Sequence, residues 1–154
     1  MILHGHAAVR AVEEREGCRL SYCERRVVML EGYATEIYPD TKNIPTAGVG
    51  QTGRWLHATF KSAYQHHVER VRERLPAFDS YPEYLQAELM QCEYRGDLGL
   101  SPKAMGYLRD GRYQAAAVEF LDHAEYKSPT TSPGIKKRLE SLHYALMLRS
   151  KQEW

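Results

Sequence analysis

The fold is indicated by residues 20–52, which read LSYCERRVVMLEGYATEIYPDTKNIPTAGVGQT. Ser21, followed three residues later by Glu24, has the pattern of a capping box, in which the two side chains satisfy the free amides at the start of a helix. Residues 27–30 are all apolar, and Gly32 then suits a left-handed C-terminal cap. The pattern therefore predicts a short helix that ends just before this glycine.

Two extended stretches follow the helix, at residues 33–38 and 44–50, and both are rich in Tyr, Ile, Thr and Val. The intervening residues 39–43, Pro-Asp-Thr-Lys-Asn, are typical of a turn. Gly48 and Gly50 would let the second strand approach another group closely. This pattern predicts a β-hairpin.

From residue 59 onward, apolar residues recur at helical spacing. A long helix is predicted over 61–74, and Ser80 is the expected cap of the next one, because Pro82 and Glu83 follow it. Other helices are predicted to begin at Ser101-Pro102, Arg112 and Ser132-Pro133, and the one from Arg112 to turn these residues inward: Ala115, Val118, Phe120 and Leu121. A helix, a small sheet and then a helical bundle make an α+β fold that is mainly α.

Composition places the chain among ordinary globular domains, with 154 residues, 43% of them hydrophobic and 27% charged. A net charge of +1 gives no reason to expect nucleic acid or a bulk acidic partner. The apolar runs are too short for a transmembrane helix, and the first residues lack the pattern of a secretory signal. Three cysteines match no zinc or redox spacing, so free thiols are expected.

Two carboxylates, those of Glu31 and Asp40, are candidates for a catalytic pair. Glu31 lies at the C-terminal end of its predicted helix, where the helix dipole disfavours an acid by roughly 0.3–1 kcal/mol, and its apolar surroundings would favour the protonated form that a general acid needs. Asp40 lies nine residues on, in the turn. Taken alone, Glu31 has the sequence context of a solvated surface glutamate, and Asp40 that of an ordinary turn aspartate. Together they suit glycoside hydrolysis, which needs an acid and a second carboxylate, and the Thr46 hydroxyl could hold a water beside Asp40.

The segments Leu30-Glu31-Gly32-Tyr33, Tyr38-Pro39-Asp40-Thr41 and Pro45-Thr46-Ala47-Gly48-Val49-Gly50-Gln51 together resemble the signature of the phage-type lysozymes, glycoside hydrolase family 24. That family has an acid-Gly pair at a helix end, Tyr-x-Asp at a turn and Thr-x-Gly-x-Gly-His on the next strand. Glu31, Asp40 and Thr46 align with its catalytic Glu, Asp and Thr without a gap. The resemblance implies a lysozyme-like fold, with a β-hairpin lobe, a helical lobe and the active site in the cleft between them.

The resemblance also implies an activity and roles for these residues. The chain is expected to be a muramidase without cofactor or metal, cleaving the β-1,4 bond between N-acetylmuramic acid and N-acetylglucosamine with inversion. Glu31 would be the general acid, Asp40 the base and Thr46 the residue that positions the water. The sequence departs from the pattern at Gln51, where the family usually has a histidine. Weaker similarity around Gly111-Arg112-Tyr113 and Gly134-Ile135 extends the match over about residues 20–150.

Four residues are expected to bind substrate: Gln51, Glu93, Tyr94 and Arg95. Residues 1–19 have no counterpart in the family and are predicted to be an N-terminal extension, with a single lysozyme-like domain at 20–154. Within that domain, residues 20–58 would form the helix and β lobe and residues 59–154 the helical lobe. The expected partner is bacterial peptidoglycan, with no nucleic acid and no membrane insertion, and the chain would act as a monomer or in a virion.

Two other functions remain open. A lytic transglycosylase would need the acid but no base to activate water, and a virion or wall-binding domain could keep the fold and lack turnover. A metal site at His66-His67 is disfavoured because adjacent helical residues point about 100° apart. Lacking an export signal, an enzyme made in the host cytoplasm would reach the periplasmic wall through a holin or be carried there in the virion.

Overall fold

The computed structural model describes residues 1–152, which fold into two compact units, Met1–Val68 and one that begins at Glu69. The described residues form eight α-helices, two 3-10 helices and one three-stranded antiparallel sheet. The prediction of an α+β, mainly helical fold is confirmed. The boundary between the units falls inside one continuous helix, so it lies ten residues beyond the lobe boundary predicted at 58/59.

The first unit contains the sheet and the helices around it. Its elements are β1 (Ile2–Leu3), α1 (Gly5–Glu16), α2 (Tyr22–Glu31), β2 (Tyr33–Pro39), β3 (Pro45–Gly48), a 3-10 helix (Gly53–Trp55) and the start of α3 (Phe60–Arg74). The predicted hairpin is therefore present as β2 and β3. The capping box of α2 is also confirmed: Glu24 N donates to Ser21 Oγ at 3.2 Å, and Ser21 N donates to Glu24 Oε1 at 2.8 Å.

Residues 1–19, expected to be an extension, are an integral part of the first unit. Strand β1 pairs with β2, with Ile2 opposite Ala34. The carboxylate of Glu16 accepts hydrogen bonds from the amides of Phe60 at 3.3 Å and Lys61 at 3.0 Å. An acid at this position supplies two of the free amides at the start of α3 with an acceptor and complements the helix dipole. The last residue of α1 thus caps a helix that begins 44 residues later.

Gly32 ends α2, but the left-handed cap predicted for it is wrong. Its φ of 79° is combined with a ψ of −179°, a conformation that is accessible essentially to glycine alone. A Cβ at this position would lie 2.9 Å from the backbone oxygen of Leu3. The reason for this geometry is the sheet: Gly32 leads directly into β2 and lies against the main chain of β1, so the backbone extends instead of curling back over the helix.

Replacing Gly32 by Ala should lower the free energy of unfolding by about 2–3 kcal/mol, because the backbone strain and the overlap with Leu3 both oppose the added methyl group. Urea denaturation followed by circular dichroism measures the change. Gly17→Ala is the matched control, since Gly17 has a similar φ of 73° but open space around its Cβ position. Equal losses in the two variants would show that the contact with β1 contributes nothing.

The second unit contains the end of α3, a 3-10 helix (Phe78–Ser80), α4 (Glu83–Arg95), α5 (Pro102–Arg109), α6 (Tyr113–Phe120), α7 (Ala124–Lys127) and α8 (Pro133–Lys151). Its core consists of fully buried side chains from these helices, among them Leu85, Leu89, Met105, Leu108, Phe120, Leu139, Leu142 and Leu146. Burying such side chains is the main favourable term in folding.

Two predictions for this unit are wrong. Ser80 does not cap α4: its hydroxyl donates to the Ala77 carbonyl at 2.6 Å and ends the 3-10 helix, and Pro82 lies at the N-cap. Val118 does not point inward and is 62% exposed. The buried stripe of α6 instead follows helical spacing from Tyr113 through Ala116, Ala117 and Phe120, which leaves Val118 on the opposite side.

No helix within residues 1–152 is both long enough and apolar enough to cross a bilayer. All three cysteines, Cys18, Cys23 and Cys92, are free thiols, as expected. Burial raises the pKa of the Cys92 thiol well above its ordinary value, and the nearby Asp97 carboxylate acts in the same direction.

Candidate active site

Glu31 is the last residue of α2 and is partly buried. The helix carries no basic residue in its last turn, so no cation on α2 itself offsets the negative end of its dipole near this carboxylate. Val27 and Val28 in the preceding turn are fully buried and fix the helix in the first unit. The position at a helix end therefore agrees with the prediction.

Asp40 organises the turn between β2 and β3. Its Oδ1 accepts hydrogen bonds from the amides of Lys42 and Ile44, both at 2.8 Å, and its main-chain carbonyl accepts one from Asn43 at 2.9 Å. The ordinary role of a turn aspartate is thus realised by one carboxylate oxygen. The other oxygen, Oδ2, accepts no hydrogen bond from residues 1–152, so it is available to receive a proton.

Thr46 lies on β3, opposite Tyr38 of β2, and is 4% exposed. Its hydroxyl donates to the main-chain carbonyl of Ile44 at 2.9 Å. Because the hydroxyl hydrogen is used in this bond, the oxygen can act only as an acceptor toward a ligand or a water. The Ile44 carbonyl, in the turn between β2 and β3, thus directs the hydroxyl hydrogen.

Ile44 joins these two candidate residues, and no sequence signal pointed to it. Its amide donates to Asp40 Oδ1, while its carbonyl accepts from Thr46 Oγ1. A free carboxylate oxygen and a hydroxyl acceptor are thus held by opposite sides of a single residue. At position 40 or 46, a side chain that cannot form a hydrogen bond with the main chain of Ile44 would therefore disrupt this arrangement.

Strand β2 connects this pair to Glu31, and its pairing with β3 is irregular. Ala34 lies opposite Gly48, whereas Tyr38 lies opposite Thr46, so four steps along β2 match two along β3. Extra residues in one strand bend it and increase its twist. The strand that connects Glu31 to Asp40 therefore contains a bulge-like irregularity.

Gln51 is 6% exposed, and its side chain is bonded to the loop that follows β3. Nε2 donates to the carbonyls of Trp55 at 2.9 Å and Ala58 at 2.8 Å, and Oε1 accepts from the Val49 amide at 3.3 Å. Both amide hydrogens are thus used within the protein. With both hydrogens already bonded, the expected binding of substrate by this side chain stays a prediction.

Glu93, Tyr94 and Arg95 end α4 in the second unit. Glu93 is 3% exposed and forms ion pairs with Arg70 at 3.4 Å and Arg74 at 3.8 Å. Tyr94 is partly buried. These contacts give Glu93 a structural function, and the expected binding of sugar by these residues stays a prediction.

Arg95 bridges two acids. Its Nη1 lies 3.2 Å from Asp97 Oδ2, and its Nη2 lies 3.0 Å from Glu125 Oε1. Asp97 is 2% exposed, and burial raises the pKa of its carboxyl, while the guanidinium of Arg95 opposes that rise. The importance of Asp97 was missed in the sequence, where the only hint was an acid directly after the glycine that ends α4.

No protein-family model and no curated protein sequence matches this chain. Among solved structures, it is similar to the crystal structure of the active form of the P1 phage endolysin Lyz, with a TM-score of 0.68. The similarity covers 99% of this chain and 98% of that one, at 13% sequence identity. The chain thus has a lysozyme-like fold that agrees with the fold expected from residues 30–52.

Proposed function

We propose that this protein is a peptidoglycan-degrading enzyme of a bacteriophage, and specifically a muramidase that cleaves the β-1,4 bond between N-acetylmuramic acid and N-acetylglucosamine. The observation that carries the proposal is the arrangement around Ile44: its amide holds Asp40 through Oδ1, which leaves Oδ2 open, and its carbonyl holds the Thr46 hydroxyl, which leaves that oxygen as an acceptor. A base and an acceptor held together are what a hydrolase needs to bind and activate a water. The fold shared with a phage endolysin supports the same class of substrate.

In the proposed reaction, Glu31 donates its proton to the glycosidic oxygen as the bond to the leaving sugar breaks. Thr46 Oγ1 accepts a hydrogen bond from the attacking water, and Asp40 Oδ2 takes the proton of that water as its oxygen bonds to the anomeric carbon. Attack from the face opposite the leaving group inverts the β configuration, so the first product is an α-anomer. The proton gained by Asp40 and the one lost by Glu31 are exchanged with solvent before the next turnover.

Product analysis tests this proposal. Purified peptidoglycan is digested with the protein, and the new chain ends are identified by mass spectrometry and their anomeric form by NMR. We expect reducing N-acetylmuramic acid ends that are initially α. New 1,6-anhydro ends would identify a lytic transglycosylase instead, and binding to the wall without any cleavage would identify a non-catalytic wall-binding protein.

The biological role follows from this activity. An enzyme of this kind would serve lysis of the host after release through a holin, or penetration of the wall as part of a virion. Fractionating purified phage particles distinguishes these routes, since only the second requires the protein to be present in the particle.

A further inference from the structure

Gln51 makes a set of contacts that few other side chains could make. Its carboxamide nitrogen donates to two carbonyls, those of Trp55 and Ala58, and its oxygen accepts from the amide of Val49. A neutral histidine has one donor and one acceptor, and a glutamate carboxylate has no donor at all. Glutamine at position 51, where the phage-type lysozymes usually have histidine, therefore has the two donors and the acceptor that these three main-chain groups require.

The same residue also closes the turn that follows β3 through its main chain. Gln51 N donates to Ala47 O at 2.8 Å, and Ala47 N donates to Gln51 O at 3.0 Å. A Cβ on Gly48 would lie 2.6 Å from Gln51 Oε1, so the absence of a side chain at Gly48 makes room for the carboxamide. Ala47 directly follows Thr46, and the turn is thereby bonded to the strand that carries this hydroxyl.

On its other side, Gln51 is joined to the helix that follows. Trp55, whose carbonyl accepts from Gln51, packs its ring against that of His66 of α3, with the ring centroids 5.0 Å apart and the planes tilted by 33°. The Gln51 carboxamide thus links the turn after β3 to Trp55, which in turn contacts α3. All of these residues belong to the first unit. Removing the carboxamide would break the hydrogen bond between this turn and Trp55 of the 3-10 helix. The main-chain hydrogen bonds between Ala47 and Gln51 would remain.

We propose that Gln51 is a positioning residue for hydrolysis: its carboxamide holds the turn after β3 so that Thr46 keeps the orientation required to bind the attacking water. This inference rests on the proposed function. Small displacements of a reacting group are costly, since a misplacement of about 1 Å can lower a rate by ~100-fold. Gln51 therefore contributes to turnover without touching substrate.

Two nearly isosteric variants test the proposal. Gln51→Met removes every hydrogen bond of the side chain, and Gln51→Glu replaces the two-proton donor by a carboxylate that faces the carbonyls of Trp55 and Ala58. On soluble glycan fragments at neutral pH, we expect kcat to fall by roughly 10–100-fold in both variants, with KM within about twofold of wild type. Gln65→Met, an exposed glutamine on α3, is the control and should keep the wild-type kcat.

Acidification separates a positioning role from a general loss of structure. As pH falls, the introduced glutamate gains a proton that it can donate to one carbonyl, so the kcat of Gln51→Glu relative to wild type should rise. Gln51→Met has no such group and should stay low relative to wild type at every pH. If Gln51→Met melts below the assay temperature, this recovery of Gln51→Glu alone decides the question.

The outcomes distinguish the two proposals. An active wild type whose Gln51→Met variant keeps its kcat would overturn the positioning role and leave the hydrolase intact. An equal change in kcat and KM, or no recovery of Gln51→Glu at low pH, would likewise contradict it. A wild type that cleaves no glycan would overturn the proposed function, and the positioning role with it.

Discussion

Replacing Arg95 by methionine should lower the free energy of unfolding by about 3–5 kcal/mol at neutral pH, the usual cost of removing one partner from a buried ion pair. The side chain of Asp97 is 3% exposed, and within residues 1–152 its hydrogen bonds come from Arg95 Nη1, at 3.3 and 3.2 Å. Methionine fills a similar volume but leaves this carboxylate charged and without that donor. Urea denaturation followed by circular dichroism measures the loss.

The same variant has a characteristic dependence on pH. In wild type, burial already raises the pKa of Asp97 above its unfolded value, and Arg95 opposes that rise. Without Arg95 the pKa in the folded state must rise further, so folding takes up a proton over a wider range of pH. The loss of unfolding free energy in Arg95→Met is therefore largest above the folded-state pKa of Asp97 in that variant. It shrinks as the pH falls toward the unfolded-state pKa of an aspartate, about 3.9.

Two further variants serve as controls for Arg95→Met. Removing both charges, in the double variant R95M/D97N, should restore part of the lost stability. Arg72→Met, which breaks the exposed pair of Arg72 with Asp79, should cost only about 0–1 kcal/mol. A deficit in Arg95→Met that is constant from pH 7 to pH 4.5 would contradict the electrostatic account. A raised KM in folded Arg95→Met would support the predicted contact with sugar.

Replacing Glu31 by glutamine should slow glycan cleavage by about 10²–10⁴-fold, the usual contribution of a general acid. The amide is nearly isosteric with the carboxyl but has no acidic proton to give to the leaving sugar. Glu31 lies at the end of α2 and is partly buried, so the change alters chemistry far more than packing. The initial rate of formation of reducing ends on purified peptidoglycan measures the effect, with circular dichroism to confirm the fold.

Glu36→Gln is the matched control, because Glu36 is an exposed glutamate on β2 only five residues away. It should retain the wild-type rate. Asp40→Asn should also lose activity, and it keeps an oxygen that can accept from the Ile44 amide, so the turn is preserved. Full activity in Glu31→Gln would show that another group is the acid.

Local patterns explain why the elements of the first unit were predictable. The capping box of Ser21 and Glu24 and the turn around Asp40 depend on residues within a few positions of one another, and the structure contains both. The contact of Glu16 with the start of α3 spans 44 residues and has no local signal. The prediction for Gly32 was wrong for the same reason: its conformation depends on β1, which lies far from it in sequence.

The sequence could select candidate site residues but could not predict the hydrogen bonds that connect them. Resemblance to a family selected Glu31, Asp40 and Thr46, since a motif records which side chains occur at which spacing. It could not record the function of Ile44, because this residue acts through its main-chain amide and carbonyl, which every residue except proline would supply. The hydrogen bonds of Gln51 could not be predicted either, because its partners are main-chain carbonyls of an irregular loop.

Strand β1 also affects how this protein behaves among its own copies. By pairing along β2, residues Ile2 and Leu3 cover an edge that would otherwise present unpaired amides and carbonyls beside Tyr33 and Ala34. Such open edges are templates for pairing between molecules, and the neighbouring residues of β2 have high β-propensity. The sheet thus ends on this side in a strand of only two residues, which offers little main chain for pairing with another molecule.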